Sequence, residues 1–225
     1  MVISIIAPTR KRPDNVKRLI DSATLTAENQ QNIEFCFYVD NDDSLNVSDD
    51  RVRVYRGDRI ILSEMWNKAY TLSSGDICMH GGDDIVFRTK GWDKMVIDAF
   101  NEVRDKILLV HGDDGHFGDS FGTHCFLHRN WVNTVGYFIP PYFSSDYNDT
   151  WLNEVANAIG RRKYLPFITE HMHWTFNKGP LDETHKERIE RHKRDHVEDI
   201  YRQTEGKRRE DVEKLQQFIN SFTKV

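Results

Sequence analysis

Apolar residues come in short runs closed by polar turns, and that rhythm predicts strands alternating with helices. Residues 2–7 are nearly continuously apolar, as a strand buried on both faces should be. Pro8-Thr9-Arg10-Lys11-Arg12-Pro13 ends it. Asp14 can then cap a helix over 15–24, with Val16, Leu19, Ile20 and Ala23 on one face. A second strand, 33–39, stops in Asp40-Asn41-Asp42-Asp43, and a short third covers 51–55. Residues 62–72 have helical spacing, and the strand 77–79 follows the break at Ser73-Ser74-Gly75-Asp76. Beyond it the pattern predicts a helix over 94–103, a strand over 107–110, a polar loop from His111 to His124 and a strand over 125–127. Residues 131–138 run into Pro140-Pro141, a firm stop. A helix over 149–159 ends at Gly160, and 164–169 is a last strand.

This order implies an α/β fold with a mixed, mostly parallel sheet. Such sheets bind ligands at the carboxyl ends of their strands. Three polar clusters fall there: Thr9 to Arg12, Asp40 to Asp43, and Asp83-Asp84. The character changes after residue 178. From 179 to 225 the chain is highly charged, with acids and bases nearly balanced. Val212, Leu215, Phe218, Ile219 and Phe222 recur at helical spacing, so a terminal helix should dock by that face. The basic clusters Arg188 to Arg194 and Lys207-Arg208-Arg209 read as solvated helix surface, in preference to a nucleic-acid patch. The expected organisation is one domain over 1–178 and a helical extension over 179–225.

Composition narrows the partners. A net charge of −5 gives no global pull toward nucleic acid or anionic membrane. No run of apolar residues is long enough to span a bilayer, and the amino terminus reads as a strand, not a signal peptide. Cys36, Cys78 and Cys125 are widely spaced and lie in predicted strands. They are expected as buried thiols of a cytoplasmic protein.

The stretch Met79-His80-Gly81-Gly82-Asp83-Asp84 holds the sharpest chemical signal. Two acids at a strand end are costly unless they hold a cation or face water. Glycines before them allow a bulky ligand close to the backbone. The pattern suits Mg²⁺ or Mn²⁺ held against a diphosphate, with a solvated turn as the alternative. The loop from His111 to Asp119, rich in glycine, acid and histidine, reads as an acceptor-binding loop and less readily as a second metal site.

In order, these pieces resemble the GT-A glycosyltransferases grouped with glycosyltransferase family 2, over residues 2 to 175. Ile5-Ile6-Ala7-Pro8-Thr9-Arg10-Lys11-Arg12-Pro13 is similar to that family's first strand and nucleotide loop. Asp40 matches the acid that contacts the donor base, and Asn67, in Ser63-Glu64-Met65-Trp66-Asn67, the helix residue near the donor. Gly82-Asp83-Asp84 stands where the family has Asp-x-Asp, with Gly82 in place of the first acid. Asp149-Thr150-Trp151-Leu152 stands at the catalytic carboxylate, and Glu170-His171-Met172-His173 at the late histidine segment.

The resemblance implies a three-layer GT-A sandwich and a metal-dependent transfer from a nucleotide-diphosphate sugar to an acceptor hydroxyl. Asp84, Asp83 and His171 or His173 would hold Mn²⁺ or Mg²⁺. Asp149 would be the general base of an inverting reaction, with Asp146 its near competitor. Pro8, Thr9, Arg10, Arg12, Asp40, Asn67 and Asp83 would bind the donor. Uracil offers one ring N–H to a carboxylate, so a UDP-sugar is the leading donor. The acceptor is expected to be a glycan, a lipid-linked sugar or a modified base in DNA. A nucleotidyltransferase and a non-catalytic nucleotide-sugar-binding module are the rival readings.

Overall fold

The apolar runs form eight strands: β1 (Ile3–Thr9), β2 (Ile33–Asp40), β3 (Val52–Gly57), β4 (Ile77–His80), β5 (Ile85–Phe87), β6 (Leu109–Asp113), β7 (Cys125–His128) and β8 (Arg162–His171). They make one sheet in the order β3-β2-β1-β4-β7-β6-β8-β5. The half built from β3, β2, β1 and β4 is parallel. β7 runs antiparallel to both β4 and β6, and β5 antiparallel to β8. The computed structural model describes residues 1–223, without the side chain of Thr223. The last two residues of the expected extension lie outside that range.

Alternation along the strands feeds two separate cores, one on each face. Ile5, Ala7, Phe35, Phe37, Ile77 and Met79 face α1 (Pro13–Thr26) and α3 (Trp92–Asn101). Ile6, Cys36, Tyr38, Cys78, Cys125 and Leu127 face the other way, onto α2 (Leu62–Tyr70), α4 (Arg129–Val135) and α5 (Asn148–Ala158). The result is the expected three-layer α/β sandwich. All three cysteines are buried free thiols on this second face, and burial pushes Cys36 and Cys78 up to about 12.

Several details differ from the expected pattern. The first helix begins at Pro13, with no side-chain cap, so Asp14 sits inside its first turn. Strand β5 was not anticipated, because three apolar residues after two acids carry too little periodicity to register. The basic cluster around Arg188 to Arg194 is not simply solvated. Helix α6 (Glu183–Arg194) lies across the strand ends, and Arg191 is 8% exposed. Helices α7 (Val197–Gln203) and α8 (Glu205–Thr223) pack Val197, Leu215 and Ile219 into the same core as α4 and α5. Leu215 and Ile219 thus lie on the face that the spacing predicted would dock. Among the described residues, no helix is long and apolar enough to cross a membrane.

Candidate active site

Sheet register explains why distant residues meet at one cleft. Asp84 directly precedes β5, and β5 pairs with β8 so that Ile85 faces His171. The Met172 N–H donates to Asp84 O at 2.8 Å, which pins the two segments together. On the other side β4 pairs with β7, and His80 faces Cys125. His124 is therefore carried in beside Gly81 and Gly82. One ligand atom each from Asp84, His124 and His171 falls within 4.8 Å of the others. His171 Nε2 is 3.3 Å from Asp84 Oδ2, and His185 Nε2, from α6, is 3.9 Å from the same oxygen. The rings of His171 and His173 have centroids 5.0 Å apart, and those of His173 and His185 4.7 Å apart.

The donor set fits a divalent transition metal: one carboxylate with two imidazoles, and further histidines at the edge. Among the described residues the buried Nδ1 atoms of His124 and His171 have no hydrogen-bond partner, so both rings keep unspent coordinating or donating capacity. Burial works against the Asp84 charge, but His171, His185 and His124 outweigh it and hold the carboxyl well below its usual range. Burial also lowers His171, yet Asp84 wins and raises it. Burial drives His124 well below the usual imidazole range, and neighbouring His171 adds to this.

Asp83 is used differently. Its Oδ2 accepts from Thr9 Oγ1 at 2.7 Å and its Oδ1 from Arg12 Nη1 at 3.0 Å. Burial pushes the Asp83 carboxyl up against the pull of Arg12, and Asp84 beside it adds to the push. Arg12 also forks onto Asp182 with two bonds of 2.7 Å, which ties the start of α6 to the first strand's loop.

Pro8, Thr9, Arg10, Arg12, Asp83, Asp84, Asp149, His171 and His173 all line this single cleft. Asp40 is not in the cleft's lining but lies behind Arg10 and Arg59, which share its Oδ2, while its buried Oδ1 has no partner among the described residues. Asn67 is not brought to the cleft. Its amide is spent on the backbone, donating to Ile139 O and accepting from Phe138 and Ile139 N–H. Sequence reasoning missed His80, His124, Arg59 and, from α6, His185, Arg188 and Arg191, all of which line the cleft. Only their strand-end or helix-start positions could have hinted at this.

On the same cleft, α5 begins after Tyr147, whose φ of 71° turns the chain sharply into the helix. Asp149 occupies the first turn, and its Oδ1 accepts only from the Thr150 N–H at 2.8 Å. It keeps some contact with the cleft, yet its surroundings desolvate it, and burial with nearby Asp146 pushes its carboxyl up to about 6. Asp146 has no such freedom: Arg188 holds its Oδ1, and Oδ2 pairs with His192 Nδ1 at 2.6 Å. The loop expected to bind acceptor is organised by buried Asp114, which accepts from the N–H groups of His116 and Phe117 and from Thr123 Oγ1. Trp92 is core, and Tyr147 stacks on Tyr201.

No family model and no curated protein matches the chain. Solved structures do. The structure of S. aureus TarS 1–349 superposes with a TM-score of 0.54 at 14% identity, covering 85% of this chain and 72% of that one. TarS 1–349 in complex with UDP-GlcNAc gives 0.56 at 12% identity, covering 76% of this chain and 58% of that one. The mannosyltransferase PcManGT from Pyrobaculum calidifontis, in complex with GDP-Man and Mn²⁺, gives 0.53 at 12% identity, covering 74% and 56%. The chain spans only 43% of the longer TarS structure. Likeness at this level of identity speaks to architecture, and it agrees with the sheet order described above: the chain has a GT-A glycosyltransferase fold.

Proposed function

We propose that this chain is a metal-dependent glycosyltransferase that moves a sugar from a nucleotide diphosphate to an acceptor hydroxyl. The observation that carries the reading is the pairing, in one cleft, of a cation-ready Asp84–His124–His171 cluster with a desolvated Asp149 carboxyl at about 6. Structural neighbours bound to UDP-GlcNAc and to GDP-Man with Mn²⁺ support it.

Asp84, His124 and His171 would hold the metal, with His173 and His185 at the edge and Asp83 set apart by its bonds to Thr9 and Arg12. The bound ion would neutralise charge on the departing diphosphate. Its imidazole-rich donors favour Mn²⁺ over Mg²⁺, which prefers oxygen. Arg10, Arg12, Arg59, Arg188 and Arg191 line the same cleft and add positive potential where that charge grows. Asp149 takes the proton from the attacking acceptor hydroxyl. A carboxyl at about 6 is ionised at neutral pH and still basic enough to do so. Asp146 is excluded from that role by its bonds to Arg188 and His192. Attack from the Asp149 side, opposite the diphosphate, would invert the anomeric centre.

UDP is the favoured nucleotide, as in the structural neighbour bound to UDP-GlcNAc, and Asp40 would act on its base through Arg10 and Arg59, which cover it. The acceptor is a glycan or lipid-linked sugar, with a modified base in DNA as the second reading. A screen for UDP, GDP and CMP release from nucleotide-sugars with Mn²⁺ tests the proposal. Metal-dependent UDP release is expected. Pyrophosphate release from a nucleoside triphosphate and a sugar phosphate would mark a nucleotidyltransferase instead.

A further inference from the structure

One buried histidine in the cleft stands unpaired. His80 ends β4 and is 5% exposed, and neither of its ring nitrogens has a hydrogen-bond partner among the described residues. Its ring lies against Trp66, with centroids 4.3 Å apart and planes inclined by 51°. Trp66 is itself fixed, its Nε1 donating to Gly81 O at 2.9 Å. Buried polar groups are nearly always paired, so a histidine with two idle nitrogens on a ligand cleft calls for a partner from the ligand.

The surroundings select that partner. Burial pushes the imidazole down to about 3, with the Thr123 backbone a weak opposing influence, so the ring is neutral. A neutral imidazole presents one N–H and one lone pair. It suits a group that can donate and accept, which is a hydroxyl, better than a phosphate, which only accepts. Leu62, Met65 and Trp66 line the same cleft and offer apolar surface to C–H groups. Ser144, Ser145 and Asn148 are buried and line the cleft too. The arginines that suit phosphate come from other segments: the β1 loop, Arg59 and α6.

We propose that His80, backed by Trp66, is the specificity-determining residue that reads a hydroxyl of the transferred sugar. This rests on the nucleotide-sugar reading above and deepens it, since it makes the sugar a neutral, hydroxyl-bearing ring.

The test compares dissociation constants of the full chain for UDP, UDP-glucose, UDP-galactose and UDP-N-acetylglucosamine with Mn²⁺ present, in the parent protein and in His80→Phe. Phenylalanine keeps a ring against Trp66 and removes both nitrogens. The ratio of UDP-sugar to UDP dissociation constants should rise about tenfold for at least one sugar, the scale of one lost hydrogen bond, while UDP itself changes less than about twofold. His80→Gln, which keeps a donor and an acceptor, should recover part of the loss. Unchanged ratios for all three sugars overturn the inference. If His80→Phe does not fold, the imidazole ¹⁵N signals of His80 in the parent protein with Mg²⁺, assigned by their loss in His80→Gln, decide. They should move on adding the same UDP-sugars and not on adding UDP, and their indifference to both overturns it. A parent protein that binds no UDP removes the donor reading itself, a failure separate from that of His80.

Discussion

Gly82 stands where the resembled motif has an acid, and the cause is steric. A Cβ there would sit 2.8 Å from Asp84 Oδ1 and 3.7 Å from His124 Nε2. Any side chain would displace the carboxylate at the centre of the cluster. Gly82→Ala should therefore weaken Mn²⁺ binding about tenfold or more, measured by titration against the free-ion resonance signal, while unfolding stability changes by less than about 1 kcal/mol. Undiminished Mn²⁺ affinity would detach Asp84 from the metal. Glu34 makes a separate prediction. Burial opposes its charge, but Ser4, Ser74 and Arg53 hold the carboxyl down to about 2. A lowered carboxyl stabilises the fold above its unfolded value and loses that contribution as pH falls from about 4.5 toward 2. The contribution is about 3 kcal/mol at neutral pH. Glu34→Gln should cost about 2–3 kcal/mol in urea unfolding at pH 7, and the gap to the parent should shrink at pH 3. Asp83 and Asp84 were visible in the sequence because turn glycines flagged them, and Asp149 because the family resemblance set its catalytic carboxylate at that helix start. His124 and His80 were not, since their place follows from the β4–β7 register alone.

At the scale of elements, α6 decides how the cleft is closed. Its two buried side chains are His185 and Arg191, so little apolar surface holds it down. Ion pairs do: Arg12 with Asp182, Arg59 with Glu187 and Arg188 with Asp146. Local spacing suggested a solvated helix, because partners at sequence separations of 42 to 170 residues leave no trace in an i,i+4 pattern. Helix α8 was legible, because Leu215 and Ile219 repeat at helical spacing and bury against α4 and α5. The two helices should respond differently to salt. At 1 M NaCl the screening length falls to about 3 Å. Amides of α6 should then exchange with deuterium several-fold faster, while those of α8 hold. Equal protection of α6 at low and high salt would contradict docking by ion pairs.

For the whole molecule, the division of the sheet sets the division of labour. The parallel half delivers Thr9 and Asp40 at its strand ends, which is why those clusters could be read as a ligand edge, and it delivers His80 as well. The mixed half delivers His124 and His171, and the β4–β7 and β5–β8 pairings that carry them were not legible, since β7 and β5 are four and three residues long. The charged segment after residue 178 lines the cleft with α6 and adds to one core with α8.

On the proposed function, a metal-bound nucleotide-sugar and the Asp149 carboxylate meet in this cleft. The most direct test follows UDP release from a UDP-sugar with Mn²⁺ in the parent protein and in Asp149→Asn, with UDP affinity measured in both. Turnover in the parent should rise as pH climbs through about 6, because Asp149 must lose its proton before it can accept one. The variant should lose about 10²–10⁴-fold in turnover and keep its UDP affinity within about twofold. Equal turnover in the two proteins, or a variant that loses UDP affinity in step with activity, would contradict the account.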